Sequence, residues 1–495
     1  MTGNVLWRVV RAEGVAGAID RLRDRLAEAR RRRSFRPAAA PPPGFASAVL
    51  NLAAAAPAPR LGGVQAQLLW RLEAEAALRP VALLYPEERA NGRGYRLELQ
   101  SGRERRALYL PPAPRAASVE PPALAPADGT PFCNVALADP ELERAVAWAA
   151  AHCGATLLSV EGLAGMPLGS LQRLRQAGLR LVLAVHDFAA FCPRPHLLED
   201  LPPPAPARFC HYSRDALRCS RCLGRDAAGL APGYQALRRE LARRLLASAD
   251  AVVYSSSFLA RTHDELFGSA GSAAARVIAP AGSPALLRSN PASRRTGPPW
   301  SPRPPRHIAW VGAVQVHKGA LVFEAAVQRL AAAGCRLRLT VYGGGDAEIL
   351  TRWRRLPGLR VRGYYRAGSL PALLRRDGVD LALLLSIVPE SYGLTLDECA
   401  AAAVPVIAFD HGALAERIAA ERSGLLLAAS LADDPAAAGA ALATLLADLL
   451  DGRIAVPPPP VAASLPGSPP PPAAAAAGWI DLYRALGEPG PQPSA

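Results

Sequence analysis

The sequence is almost without lysine: of 57 basic residues only Lys318 is a lysine, and the rest are arginine. Methionine and asparagine are also scarce, while alanine, arginine and proline abound. This is the bias of a GC-rich genome, and it makes arginine the default cation. Aromatic residues make up only 6% of the chain, and no helix-turn-helix, finger or aromatic RNA-binding signature is present. A nucleic acid is therefore not the expected partner, despite a formal charge of +15 spread along the whole chain. No apolar run approaches the roughly 18 to 20 residues needed to span a bilayer. The N-terminus, MTGNVLWRVVRAEG, has neither a secretory apolar region nor a cleavage site. A cytoplasmic chain with reduced cysteines is expected, its charge suited to anionic substrates or to peripheral association with the anionic inner face of the membrane.

What is present is enough for two domains: 495 residues, half of them hydrophobic, with 49 prolines and 41 glycines that are bunched rather than dispersed. Residues 1–45 read as an arginine-rich helical lead-in and a Pro/Ala spacer, either a solvated helix or one docked on a membrane surface. From 46 to 284, apolar runs such as ATLLSV, LRLVLAVHD and ADAVVYSS alternate with amphipathic helices. That alternation predicts a parallel sheet covered on both faces. A Pro/Arg linker spans 285–304, and the alternation restarts over 305–455 with RHIAWVG, CRLRLTVYGGGD, DLALLLS and VPVIAFD. A Pro/Ala-rich tail, 456–495, ends in the helix GWIDLYRALG, where Trp479 and Tyr483 share one face. The fold class expected is thus α/β, two tandem Rossmann-like doubly wound domains facing a cleft.

Three stretches carry candidate chemistry. Gly62 and Gly63 precede the first helix of the first domain, where glycine lets a backbone approach a phosphate; a simple capping role explains them equally well. In WVGAVQVHKGA, Gly312 ends a strand and Lys318 lies where a helix starts, a compact point charge able to reach a diphosphate. In VPESYGLTLDECAAAAVPVIA, Glu390 and Glu398 stand eight apart with Asp397 between them, Glu390 in the loop at the end of a strand and Glu398 about two turns into the next helix.

Taken together, VGAVQVHKG, VYGGGD, the Glu390 to Glu398 block and FDHGALAERI followed by SGLLL resemble retaining glycosyltransferases of the GT-B fold, in particular the family-four group marked by Glu-x7-Glu. In the first domain, APAPRLGGVQ and LAVHDFAAFCPR agree, so the resemblance covers about 46–455. It implies a nucleotide-sugar donor and no catalytic metal. Glu390 would contact the donor sugar and Glu398 the ribose. Lys318 would hold the diphosphate with help from the backbone of Gly393, Leu394 and Thr395, and Gly62 and Gly63 would face it from the other domain. His186 matches the histidine near the reaction centre, although a strand-capping role also accounts for it. The acceptor would be a glycan, lipid-linked or other hydroxyl, in cell-surface polysaccharide or glycan biosynthesis. One departure stands out: the family's arginine five residues before the lysine is Ala313 here. Either His317 or another arginine substitutes, or Lys318 bears the leaving-group charge alone. A non-catalytic sugar-nucleotide-binding or scaffold protein of a glycan-assembly complex is the alternative, and an epimerase on the same fold is a third reading.

Cys192, Cys210, Cys219 and Cys222, separated by 17, 8 and 2 residues, form a candidate thiolate site for a structural zinc, with His196 and His211 as alternate ligands. The spacing matches no standard finger, and reduced thiols or a redox pair fit as well. Cys133, Cys153, Cys335 and Cys399 read as small core residues.

Overall fold

The computed structural model describes residues 3–58, 63–90, 92–113, 135–199, 207–224, 230, 233–269, 274–284, 303–335, 337–458 and 467–487. The expected linker at 285–304 lies outside them except for its last two residues, as do Gly62 and Cys133. The chain divides into two compact units. The first comprises residues 27–197, 211–282 and 470–495, and the second 1–26, 198–210 and 283–469.

The first unit contains β1 (Arg36–Pro37), β2 (Val49–Leu52), β3 (Val81–Arg89), β4 (Gly92–Ser101), β5 (Glu104–Leu110), β6 (Leu157–Glu161) and β7 (Arg180–Val185). The next two strands, β8 (Leu198–Glu199) and β9 (Arg208–Phe209), form a short ribbon of the second unit, and the first resumes with β10 (Ala251–Tyr254) and β11 (Ala275–Val277). Among the described residues its sheet runs β1-β5-β4-β3-β2-β6-β7-β10-β11. From β3 through β2 to β11 the neighbours are parallel, as the βα alternation predicts. The antiparallel meander β3-β4-β5 is not foreseen in the sequence. Its strands GRGYRLELQS and ERRALYL carry too many charges to read as core. Those charges are paired instead: Glu98 accepts from Tyr85 at 2.7 Å, Arg96 at 3.1 Å and Arg31 at 2.8 Å.

The second unit holds β12 (His307–Val311), β13 (Arg338–Tyr342), β14 (Leu359–Gly363), β15 (Leu381–Leu384), β16 (Val406–Phe409) and β17 (Gly424–Leu427). The order β14-β13-β12-β15-β16-β17 is parallel throughout. Counted within the unit this is 3-2-1-4-5-6, the doubly wound order of a Rossmann sheet. HIAWV, LALL and VIAF are buried at every position, because helices cover both faces. On one face Trp310, Phe323 and Trp353 pack with ring centroids 4.7 to 5.4 Å apart.

The N-terminal segment is helical as expected, but it is not solvated on every side. It is a helix, Gly3–Ser34, broken at Gly14, whose φ of 78° leaves the helical range. Residues up to 26 belong to the second unit, and they bury acids: Glu13, Asp20 and Asp24 are only 4, 7 and 1% exposed. Asp20 accepts from Arg362 at 2.6 Å, and Asp24 from Tyr364 and Arg366, each at 2.8 Å. At Gly17 a β-carbon would sit 2.9 Å from the Tyr364 nitrogen, so glycine permits the close approach.

The C-terminal helix, Pro472–Ala485, is integral to the first unit. Trp479 and Tyr483 do share a face, their rings 5.8 Å apart, in a buried cluster with Val49, Leu157 and Val182. The guanidinium of Arg71 lies 4.1 Å from the centre of the Trp479 ring, and the Tyr483 hydroxyl bonds Ser159 at 3.1 Å. Trp479→Ala removes both the packing and the lid over a buried cation. It is expected to destabilise the first unit by about 3 to 5 kcal/mol, seen as a lower guanidinium midpoint of that unit's unfolding transition.

Candidate functional site

In a doubly wound sheet, ligands sit beyond the carboxyl ends of the strands where the strand order reverses. In the second unit the reversal falls between β12 and β15, and the loops leaving these two strands carry Lys318 and Glu390. The structure brings them together: the Lys318 ammonium is 2.5 Å from Glu390 Oε1. The loops are joined by backbone as well. The His317 carbonyl accepts from the Ile387 amide at 2.9 Å and from the Ser386 hydroxyl at 3.1 Å. Gly319, at φ 85°, lies so close that a β-carbon would overlap the Leu385 carbonyl oxygen. His317, one of the expected substitutes for the missing arginine, is only 2% exposed and holds this junction.

Glu390 is fixed from its other side too. The Glu390 carbonyl accepts from Ala413 at 2.9 Å, in the first turn of the helix Gly412–Glu421. A β-carbon on Gly412 would come within 2.7 Å of the Glu390 nitrogen. The helix bearing Glu398 runs Leu394–Ala401 and is capped by Gly393 in the left-handed region, with no side-chain acceptor for its first amides. The amides of Leu394 and Thr395 are thus among the donors a helix leaves for a ligand or solvent. Gly312 faces this turn, and a β-carbon there would lie 4.0 Å from the Thr395 methyl. Gly343 and Gly345 of VYGGGD let the next loop press against residues 312–314, with Val314 donating to the Gly344 carbonyl at 3.0 Å.

Glu398 accepts from the Gly368 amide at 3.3 Å and from the Tyr365 hydroxyl at 3.5 Å. Burial pushes its carboxyl up to about 8, against the pull of the Gly368 amide. Asp397 points elsewhere, into a buried ion pair with Arg417, whose guanidinium lies 4.6 Å from the Tyr392 ring centre. Tyr365, Gly368, His411 and Arg417 escaped sequence reading. His411 and Arg417 stand in the quoted stretch FDHGALAERI, but nothing in their spacing says that they face Ser386 and Asp397.

In the first unit, Gly63 opens the helix Gly63–Glu75 after β2, and Gly62 lies outside the described residues. His186 follows β7 and meets this helix, its Nε2 3.4 Å from Gln67 Nε2. Gly162, at φ 106°, leaves room beside both, since a β-carbon there would lie 3.9 Å from the His186 ring and 4.0 Å from Val64. Burial, and then the Arg71 charge, press the imidazole down to about 4, so it is neutral at physiological pH. Arg71 itself is buried and bonded to Glu161 at 2.8 Å and Asn51 at 3.2 Å.

Among the described residues no group of three or more His, Cys, Asp or Glu side chains is placed to hold a metal ion. Cys210 belongs to the second unit, whereas Cys192, Cys219 and Cys222 belong to the first. Cys192 packs against an apolar cluster of Val135, Leu223 and Tyr234, and Cys219 contacts the Ser213 carbonyl at 3.5 Å and the Arg239 guanidinium at 3.6 Å. Cys153 and Cys399 are buried core residues as expected, while Cys335 is only partly buried.

Residues 305–448 match the family model described as Glycosyl transferases group 1. Among solved structures, sucrose-phosphate synthase from Thermosynechococcus elongatus is similar at 18% identity over 89% of this chain and 99% of that one, with a TM-score of 0.53. This likeness shows the fold, two Rossmann-like α/β units of the GT-B type. Anabaena HepE in complex with UDP and glucose, at 14% identity over 89% of this chain and all of that one, has a TM-score of 0.48. The trehalose 6-phosphate synthase of Burkholderia multivorans, at 12% over 89% and 97%, has one of 0.47. No curated protein matches the chain in sequence.

Because the Glu398 carboxyl is raised in the folded state from an ordinary value of 4.5 to about 8, folding takes up a proton between those two pH values. Its contribution to stability is complete below about 4.5 and is lost as pH rises through about 8. Glu398→Gln is expected to flatten the fall in unfolding free energy across this window, measured by denaturant titration at several pH values.

Proposed function

We propose that the chain is a retaining glycosyltransferase that moves a sugar from a nucleotide-sugar donor to an acceptor hydroxyl in cell-surface polysaccharide or glycan biosynthesis. The observation that carries this reading is the Lys318–Glu390 pair at the switch point of the second sheet, inside the segment matching the group 1 model.

Glycosyl transfer from such a donor needs the departing diphosphate neutralised and the cationic sugar stabilised. Lys318 supplies the positive charge, and the first amides of the helix after Gly393 add donors at its positive end. Side-chain exposures of 31% for Lys318 and 18% for Glu390 leave the pair open to a ligand, and an ion pair this accessible is held by only about 1 kcal/mol. A phosphate can therefore take the ammonium and release the carboxylate toward the sugar. Glu398 sits where its oxygens can accept from ribose hydroxyls, and that contact favours the ionised carboxylate. Neutral His186 offers a ring nitrogen for hydrogen bonding without a charge that would repel the sugar cation. With retention, the bond from the anomeric carbon to the phosphate oxygen breaks, and the acceptor oxygen bonds that carbon on the same face. The acceptor proton passes to the departing phosphate oxygen, so no protein base is required.

Ala313 favours the second reading, a sugar-nucleotide binder without turnover, because the family's additional leaving-group charge is missing. The two readings separate on a panel of sugar nucleotides followed for binding and for transfer or hydrolysis. For the enzyme, one donor is bound and cleaved, and Glu390→Ala abolishes turnover. Lys318→Ala weakens donor binding by on the order of 10- to 100-fold, the loss of a charge-assisted contact to phosphate. Lys318→Arg is also expected to be damaging. Binding without cleavage in every condition supports the second reading. If no sugar nucleotide binds or is cleaved and Glu390→Ala changes nothing, both fail.

A further inference from the structure

The N-terminal helix is built inside out. Its acids Glu13, Asp20 and Asp24 are buried, while Val15, Ile19, Leu22 and Leu26 are 64, 43, 51 and 48% exposed. These four stand at i, i+4, i+7 and i+11, so after the break at Gly14 they form one continuous stripe on the outer side of a regular helix. A soluble helix normally shows the reverse, and four exposed aliphatic side chains in line are a surface that lacks its partner.

We propose that this outer face docks on an anionic bilayer surface. The charges around the stripe select that occupant. Among residues of the same unit, Arg23 is exposed beside the stripe, its guanidinium 3.6 Å from Asp20, and Arg11 and Arg25 are exposed at its margins. Of the helix's four acids, three are turned inward and the fourth, Glu28, is partly buried. A second copy of the same face would set arginine against arginine. Anionic headgroups would satisfy the arginines while the aliphatic stripe enters the boundary with the acyl chains. Trp7, 61% exposed with Arg11 5.2 Å from its ring centre, adds a residue suited to the headgroup level. Among the described residues no helix is long and apolar enough to cross a membrane, so the helix lies on the surface. The inference does not depend on the donor chemistry, because none of these side chains belongs to the candidate site.

The test is flotation of the full chain with phosphatidylcholine vesicles, with and without phosphatidylglycerol at about three lipids in ten. The wild type is expected to float with the anionic vesicles, to stay behind with phosphatidylcholine alone and to be released by high salt. Leu22→Glu and Ile19→Glu should each abolish flotation. Arg11→Gln, Arg23→Gln and Arg25→Gln combined should weaken binding on the order of 100-fold, at roughly fivefold per charge near the surface. Unchanged circular dichroism and unfolding midpoints of these surface variants show that the fold is intact, and Leu22→Ala gives an intermediate that does not depend on a buried charge. The proposal is overturned if the wild type ignores anionic vesicles, or if the charged variants float as it does. It is also overturned if Ile19→Glu dissolves a dimer seen by sedimentation while no vesicle binding occurs, which would make a second copy the occupant.

Discussion

An ammonium and a carboxylate held 2.5 Å apart at the point where a parallel sheet reverses its strand order set the constraint that organises the second unit. Bringing Lys318 to Glu390 requires two loops from adjacent strands to run almost in contact. Gly319 against Leu385, Gly412 against Glu390 and Gly343 and Gly345 against residues 312–314 all follow from that requirement, since a β-carbon at any of them meets backbone. The His317 carbonyl, taking bonds from Ile387 and Ser386, locks the junction. What holds the pair in place is therefore backbone geometry, while the attraction between the two charges is weak at this exposure. A rigid frame around a readily exchanged ion pair is what a site needs if an anionic ligand is to replace one partner.

The chain's other cations serve the opposite purpose. Arg71 sits buried among Glu161, Asn51 and the Trp479 ring, Arg417 against Asp397 and Tyr392, and Arg238 against the carbonyls of Ala189 and Ala190. A guanidinium with five donors can satisfy several acceptors from one buried position, which an ammonium on a flexible stem does less well. These arginines tie loops and helices to the sheets. At the N-terminus Arg362 and Arg366 do this for a helix, drawing Asp20 and Asp24 inward and so turning the aliphatic side chains out. Tyr364, which bonds Asp24, is followed by Tyr365 and Gly368, the two residues that hold Glu398.

The parallel strands and the placement of Glu390 and Glu398 were legible in the sequence because each rests on a local pattern: short apolar runs, a Gly-Leu-Thr helix start and a carboxylate on either side of it, although the helix begins at Leu394 and so holds Glu398 about one turn in rather than the two expected. The meander β3-β4-β5 was not, since its strands hide behind charges whose partners lie far along the chain, as Arg31 does from Glu98. The inverted helix was misread for the same reason. Acids and arginines in one helix look solvated until Arg362, Tyr364 and Arg366, more than 300 residues away, are seen to take the acids. For the cysteines, CxxC with two upstream cysteines is a local pattern only, and Cys210 falls in a different unit from the other three. Local spacing thus served where an element rests on its own run of residues, and failed where a long-range ion pair decides which side of an element is buried.

The single lysine at position 318 gains a physical reason in this contrast. An arginine at position 318 would present a planar fork to Glu390, and forks bind carboxylates through two parallel hydrogen bonds. Such a pair would engage both carboxylate oxygens and resist exchange. The Lys318 ammonium meets Glu390 at Oε1, while the Glu390 carbonyl is held separately by the Ala413 amide. Its three rotatable donors impose no preferred plane, so a phosphate arriving from any direction can be met without rebuilding the turn that Gly319 makes. In a chain where every other cation is an arginine, many of them fastening structure, the proposed donor site calls for a cation that can let go of its partner, and the simpler charge of Lys318 suits it.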